Sequence, residues 1–172
     1  MARKKSLQEA VSKEIKSKFD LNAFKDKKGL KQNVKFKEQE WIPLSKAFQD
    51  VTSVPGIPMG HISLLRGHSD TGKTTALLEA AVSAQKRNIL PVFIITEMKW
   101  NWKYAKQMDL KFKETIDKET GEIVNYEGQF IYVDRETIST IEDVAVFILD
   151  LIDEQKKGNL PYDLLFLWDS IG

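Results

Sequence analysis

The sequence predicts an α/β domain built on a parallel sheet with helices on both faces. Three observations carry that prediction. Two continuous apolar runs, 90–96 and 164–168, have the composition of strands buried on both faces. Expected helices after the glycine loop, over 98–109 and from Ser139 to Lys157 are interleaved with the strands, so strands and helices alternate along the chain. A loop bracketed by Gly67 and Gly72 joins an apolar stretch to one rich in Ala and Leu, in strand–loop–helix order.

The elements follow in order. Over 6–19, Leu7, Ala10, Val11, Ile15 and Phe19 recur at helical spacing with lysines between them, which predicts an amphipathic helix. Residues 20–33, with Asp26-Lys27-Lys28-Gly29, read as a flexible connector. Residues 1–39 therefore form a helix and linker, and 40–172 form the body. Residues 50–60 are a turn-rich approach to a first core strand, Ile62 to Leu65. A loop from Gly67 to Lys73 precedes a helix reaching about Arg87. Leu90 to Thr96 is the second strand, with Pro91 near its start, where proline is tolerated. A helix is expected over 98–109 and a polar hairpin over 111–126, turning near Thr120-Gly121. Gln129 to Val133 is a third strand. Ser139 with Glu142 reads as a capping box opening a helix that runs to Lys156-Lys157 and stops at Gly158. Leu164 to Trp168 is the fourth strand. Ligands in such sheets bind beyond the carboxyl ends of the strands.

Composition narrows the function classes. At 172 residues, 42% hydrophobic and 30% charged, the chain has the profile of a soluble globular protein with one core. The absence of cysteine excludes disulfides, thiolate catalysis and cysteine-held metals. Two histidines, His61 and His68, argue against a multi-histidine metal site. The longest apolar run, Ile89 to Ile95, is far short of the ~20 residues that cross a bilayer, and no apolar leader core follows the basic N-terminus, so a cytoplasmic protein with no membrane partner is expected. Charge is uneven: residues 1–50 hold 13 Lys/Arg against 7 Asp/Glu, and the remainder hold 13 against 18. A basic front end on an acidic body suits contact with nucleic acid or an acidic neighbour.

The chemistry concentrates at Gly67-His68-Ser69-Asp70-Thr71-Gly72-Lys73-Thr74, a complete match to the phosphate-binding pattern G-x-x-x-x-G-K-[ST]. The glycines permit close backbone approach, and the loop N–H groups with the helix N-terminus present positive potential to phosphate oxygens. Lys73 adds a point charge at the β- and γ-phosphates, and the Thr74 hydroxyl is a Mg²⁺ ligand. Thr75 follows on the same helical turn. This predicts a P-loop NTPase using ATP and Mg²⁺. His68 reads as loop filler, and Asp70 is expected to face away from a polyphosphate. Asp169, ending the fourth strand, is placed to hold the Mg²⁺ hydration shell. Glu97, directly after Thr96 at the carboxyl end of the second strand, is placed to polarise an attacking water.

At these residues the chain resembles the RecA-type recombinases, and within them the phage UvsX branch. The matching stretches run from Leu64-Leu65-Arg66-Gly67 into the loop, then Val92 to Glu97, then Leu164 to Gly172. The separation of Lys73 from Glu97 equals that between the P-loop lysine and catalytic glutamate of bacterial RecA. Trp100-Asn101-Trp102-Lys103-Tyr104-Ala105 resembles the family's adenine-contacting helix. The resemblance implies that Tyr104 stacks on adenine and that Asn101, where the family more often has aspartate, bonds near its edge. It further implies a partial RecA-like ATPase core over 40–172, with 111–126 as an insertion. Residues 1–39 then correspond to an arm that contacts the next protomer of a helical filament. Single-stranded DNA is the implied partner of the complete protein, and strand exchange its activity. A RecA-like helicase or regulatory ATPase, and a nucleotide-binding fragment that does not hydrolyse, are the alternative readings.

Overall fold

The computed structural model describes residues 20–28, 38–97 and 100–170. The expected amphipathic helix over 6–19 lies outside the described residues. The chain divides into two compact units, Met1–Glu38 and Gln39–Gly172.

In the first unit the expected connector contains a helix, α1 (Leu21–Lys27). The Asp20 side chain accepts from the backbone N–H groups of Asn22 and Ala23, which satisfies two of the donors a helix start leaves free. The lysine and aspartate composition suggested a linker. The N-cap and the absence of proline and glycine before Gly29 favour the helix instead.

The second unit is mixed α/β, with a three-stranded parallel sheet and flanking helices. It opens with a short antiparallel pair, β1 (Trp41–Pro43) and β2 (Gly56–Pro58), in the register Ile42↔Ile57. Helix α2 (Lys46–Thr52) lies between them, and α3 (Lys73–Lys86) follows the glycine loop. The sheet order is β6 (Ile131–Asp134), β3 (Ile89–Ile95), β7 (Asp163–Asp169), and both pairings are parallel. Pro91 lies within β3, but β6 pairs only from Val92 onward, so the proline has a strand partner on one side alone.

Every residue of β3 is buried, as its continuous apolar run predicts. Alternation sends Ile89, Phe93 and Ile95 to one face, where they pack with Leu165 and Leu167 of β7 and with Leu78, Ala81 and Ala84 among the α3 residues of that core. Val92 and Ile94 go to the other face, against Val144, Phe147, Ile148 and Leu151 of α5 (Ile141–Lys156). Helices thus cover both faces, as expected.

Three expectations need correction. Ile62–Leu65 is not a strand: the segment is irregular, with Ile62 fully exposed and Leu64 78% exposed. A strand requires a neighbour to receive its backbone groups, and among the described residues no strand pairs with this segment. The helix expected over 98–109 is confined to α4 (Trp102–Gln107), with residues 98–99 outside the described residues. The cap of α5 sits one residue later than expected: Thr140 accepts from the Asp143 backbone N–H, and the Asp143 carboxylate accepts from the Thr140 backbone N–H. The hairpin does form, as β4 (Lys113–Ile116) and β5 (Ile123–Glu127). Its turn is held by the Asp117 carboxylate, which accepts from the backbone N–H groups of Glu119 and Thr120.

Candidate functional site

Register brings three strand ends level. Ile95 of β3 pairs with Asp134 of β6 on one side and with Asp169 of β7 on the other. Acidic residues therefore line the carboxyl edge of the sheet, and they differ in what engages them. Asp134 is taken up locally: its Oδ1 accepts from the backbone N–H of Glu136 and Thr137 and from the Thr137 hydroxyl. Asp169 reaches across the fold. The Thr74 hydroxyl donates to Asp169 Oδ2 at 2.7 Å, joining residues 95 apart in sequence at the start of α3.

The loop before α3 is built on itself. Gly72 is the N-cap of α3 at φ 88, a left-handed conformation that side-chain-bearing residues adopt at a cost. Gly67 meets the Thr71 side chain so closely that an added Cβ would lie 2.7 Å from Thr71 Oγ1. The Thr71 hydroxyl in turn donates to the His68 carbonyl at 2.8 Å. Lys73 Nζ folds back over the loop and donates to the carbonyls of His68 (2.8 Å) and Gly67 (3.1 Å). The ammonium thus sits over the loop that the sequence assigns to phosphate. His68, Ser69 and Asp70 are exposed, and Asp70 takes a left-handed φ of 61, which aspartate tolerates. Asp70, Gly72, Lys73, Thr74, Thr75 and Tyr104 line one cleft of about 300 Å³.

Tyr104 reaches that cleft from α4, and its hydroxyl shares a 2.9 Å hydrogen bond with the Thr75 hydroxyl. Asn101 serves the backbone, since its Oδ1 caps α4 by accepting from the Tyr104 backbone N–H at 3.0 Å. The two tryptophans of this segment pack inward. Trp100 lies against Phe93 at 4.9 Å between ring centroids, and Trp102 stacks on Tyr126 of the hairpin at 4.3 Å with planes 16° apart. Lys106 Nζ pairs with Glu114 Oε2 at 2.8 Å. The hairpin is therefore fastened to the helix that carries Tyr104. Tyr132 belongs to the same aromatic cluster, and burial, then the nearby Asp134 charge, push its phenol above the usual tyrosine range.

Glu97 stands exposed just beyond β3. The Ser170 hydroxyl donates to its Oε1 at 2.6 Å. Ser170 is itself fixed, because the Thr96 hydroxyl donates to the Ser170 carbonyl at 2.6 Å and the Thr96 backbone N–H donates to the Asp169 carbonyl at 2.9 Å. Sequence reading overlooked Ser170, whose one signal is its position next to Asp169.

The structure thus gathers Lys73, Thr74, Thr75 and Tyr104 at one cleft, ties Asp169 to Thr74, and holds Glu97 at the same sheet edge through Ser170. Thr74 and Asp169 together offer two oxygen donors. Among the described residues no group of three or more His, Cys, Asp or Glu could hold a metal ion. Two oxygens suit Mg²⁺, which fills its shell chiefly with waters and phosphate oxygens.

Among known proteins, the chain is similar to RecA. Over 72 residues the chain is 42% identical to the protein RecA of Aquifex pyrophilus, covering 41% of this chain and 21% of that protein. Over 107 residues it is 36% identical to the protein RecA of Aquifex aeolicus, covering 62% of this chain and 30% of that protein. These partial matches support a relationship to the RecA family, and the chain spans less than a third of the length of either relative. No family model matches, and no solved structure matches. Among the described residues no helix is long and apolar enough to cross a membrane.

Proposed function

We propose that this chain is the ATP-binding part of a RecA-type recombinase core with a P-loop NTPase architecture, of the UvsX kind. The reading rests above all on the Thr74–Asp169 hydrogen bond, which joins a complete phosphate-loop sequence to a strand-end carboxylate. The RecA similarity supports it.

In this reading the loop N–H groups and the N-terminus of α3 receive the phosphates of ATP. Lys73 Nζ exchanges the Gly67 and His68 carbonyls for β- and γ-phosphate oxygens. Thr74 and Asp169 hold Mg²⁺, which neutralises charge across the phosphates. Glu97 orients a water and accepts its proton at the free carboxylate oxygen. Tyr104 stacks on adenine, and the Asn101 amide nitrogen, left over from capping, reaches toward the base edge. In the complete protein, residues 1–39 contact the next protomer of a filament, the filament engages single-stranded DNA, and the setting is the cytoplasm. The DNA term is salt-dependent, because phosphate neutralisation releases counterions.

One observation favours a second reading, nucleotide binding without turnover. Ile62–Leu65 forms no strand, so no sheet strand leads into the loop. Steady-state ATP hydrolysis with and without single-stranded DNA separates the two. Turnover stimulated by DNA and strongly reduced by Glu97→Gln is the expected result. Undiminished turnover by Glu97→Gln removes the water-activating role, and stoichiometric binding with no turnover selects the second reading.

A further inference from the structure

We infer that Ser170 is a positioning residue for Glu97. The inference deepens the proposed ATPase reading and rests on it. The contact is short and specific: Ser170 Oγ to Glu97 Oε1 at 2.6 Å, between residues 73 apart in sequence. A hydroxyl donating to a carboxylate is a charge-assisted bond, stronger than a neutral pair. The tether acts on an exposed side chain, since Glu97 lies two residues past Ile95, the last paired residue of β3.

The donor is well held on its own side. Ser170 is partly buried, follows β7 directly, and its carbonyl accepts from the Thr96 hydroxyl at 2.6 Å. Thr96 Oγ1 and Ser170 Oγ thus cross-link the two strand ends in opposite directions, one from β3 to the chain after β7 and one back to Glu97. Only one carboxylate oxygen is used. Among the described residues no group hydrogen-bonds Glu97 Oε2, so the tether fixes the side chain and leaves an acceptor for water. Neighbouring residues then serve neighbouring acids: Asp169 is bound by Thr74, and Ser170 binds Glu97. The pairing gives the end of β7 two roles, holding the metal-side carboxylate and aiming the water-side one. A general base must stay within hydrogen-bond reach of its proton, and small misplacements are costly in rate.

Two measurements on the 172-residue chain test this. The first needs no nucleotide. With glutamate labelled at the side-chain carboxyl carbon and the Glu97 resonance assigned through Glu97→Gln, Ser170→Ala should shift that resonance and Ser170→Thr should largely restore it. An unmoved resonance overturns the contact. The second is ATP hydrolysis. Ser170→Ala should lower kcat about tenfold with KM changed less than twofold, the signature of an interaction realised in the transition state. In the Glu97→Gln background the same substitution should have no further effect. A raised kcat would make the contact a latch that restrains Glu97, and equal losses in both backgrounds would mean that Ser170 acts elsewhere; either overturns the inference. If Glu97→Gln lowers turnover while Ser170→Ala does not, the inference fails and the ATPase reading stands. If the chain shows no turnover, or Glu97→Gln leaves turnover undiminished, the parent reading fails and takes the inference with it.

Discussion

Two short apolar stretches, Ile62–Leu65 and Leu164–Trp168, look alike in sequence and end differently in the fold. The second is the body of β7, paired with β3 over its full length, with Leu165 and Leu167 in one core and Leu164, Phe166 and Trp168 against the other. The first is exposed and irregular, although it leads directly into the candidate phosphate loop. The difference is the neighbour. β7 has a fully buried strand to pair with and a helix beyond each face, whereas no strand pairs with 62–65 among the described residues. Apolar composition therefore nominates a strand, and backbone pairing decides it: the outer edge of β7 receives no further strand among the described residues.

The comparison can be broken by substitution. The largest effect is expected at Phe93, which is fully buried at the centre of β3 and underlies the pairing that 62–65 lacks. Phe93→Ala should cost ~3–5 kcal/mol in urea unfolding. A loss below about 1 kcal/mol would mean that the sheet core is not packed as described. Leu64→Ala, by contrast, should change stability by no more than about 0.5 kcal/mol, as for an exposed side chain. A loss of about 2 kcal/mol or more would place 62–65 inside a core in solution and erase the contrast with β7.

The smallest effect concerns the cap of α5, the helix that covers the far face of β7. The Thr140 side chain, then its backbone N–H, holds the Asp143 carboxyl below its usual range. A carboxyl lowered in the folded state stabilises when ionised. Its contribution is complete above the unfolded value of about 3.9 and is lost as pH falls through the folded value. The Tm advantage of the unmutated chain over Asp143→Ala should therefore shrink as pH is lowered below about 4. A gap that stays constant down to acid would remove the charge from the cap.

Legibility in the sequence followed the range of the interaction. The glycine loop, the helix after it, β3, β7 and the hairpin were readable because each depends on local pattern. Asp169 and Glu97 were readable because they end apolar runs. The cap of α5 slipped by one residue because Ser139-Thr140-Ile141-Glu142-Asp143 contains two overlapping hydroxyl–acid spacings. The observed register is the one that turns Val144, Phe147, Ile148 and Leu151 toward the sheet. β1 and β2 escaped notice because each is three residues long and ends in proline. Asn101 carried a family role in the sequence, and in the fold its side-chain oxygen caps α4. Ser170 was invisible because its contact with Glu97 exists only once β3 and β7 are aligned.

The central claim is that Lys73, Thr74 and Asp169 form a nucleotide phosphate site. Calorimetric titration of the chain with ATP and Mg²⁺, set beside Lys73→Ala, tests it most directly. Saturable one-to-one binding is expected, weakened by about tenfold or more in the variant, a difference of at least about 1.4 kcal/mol. Equal affinity in the two proteins would contradict it.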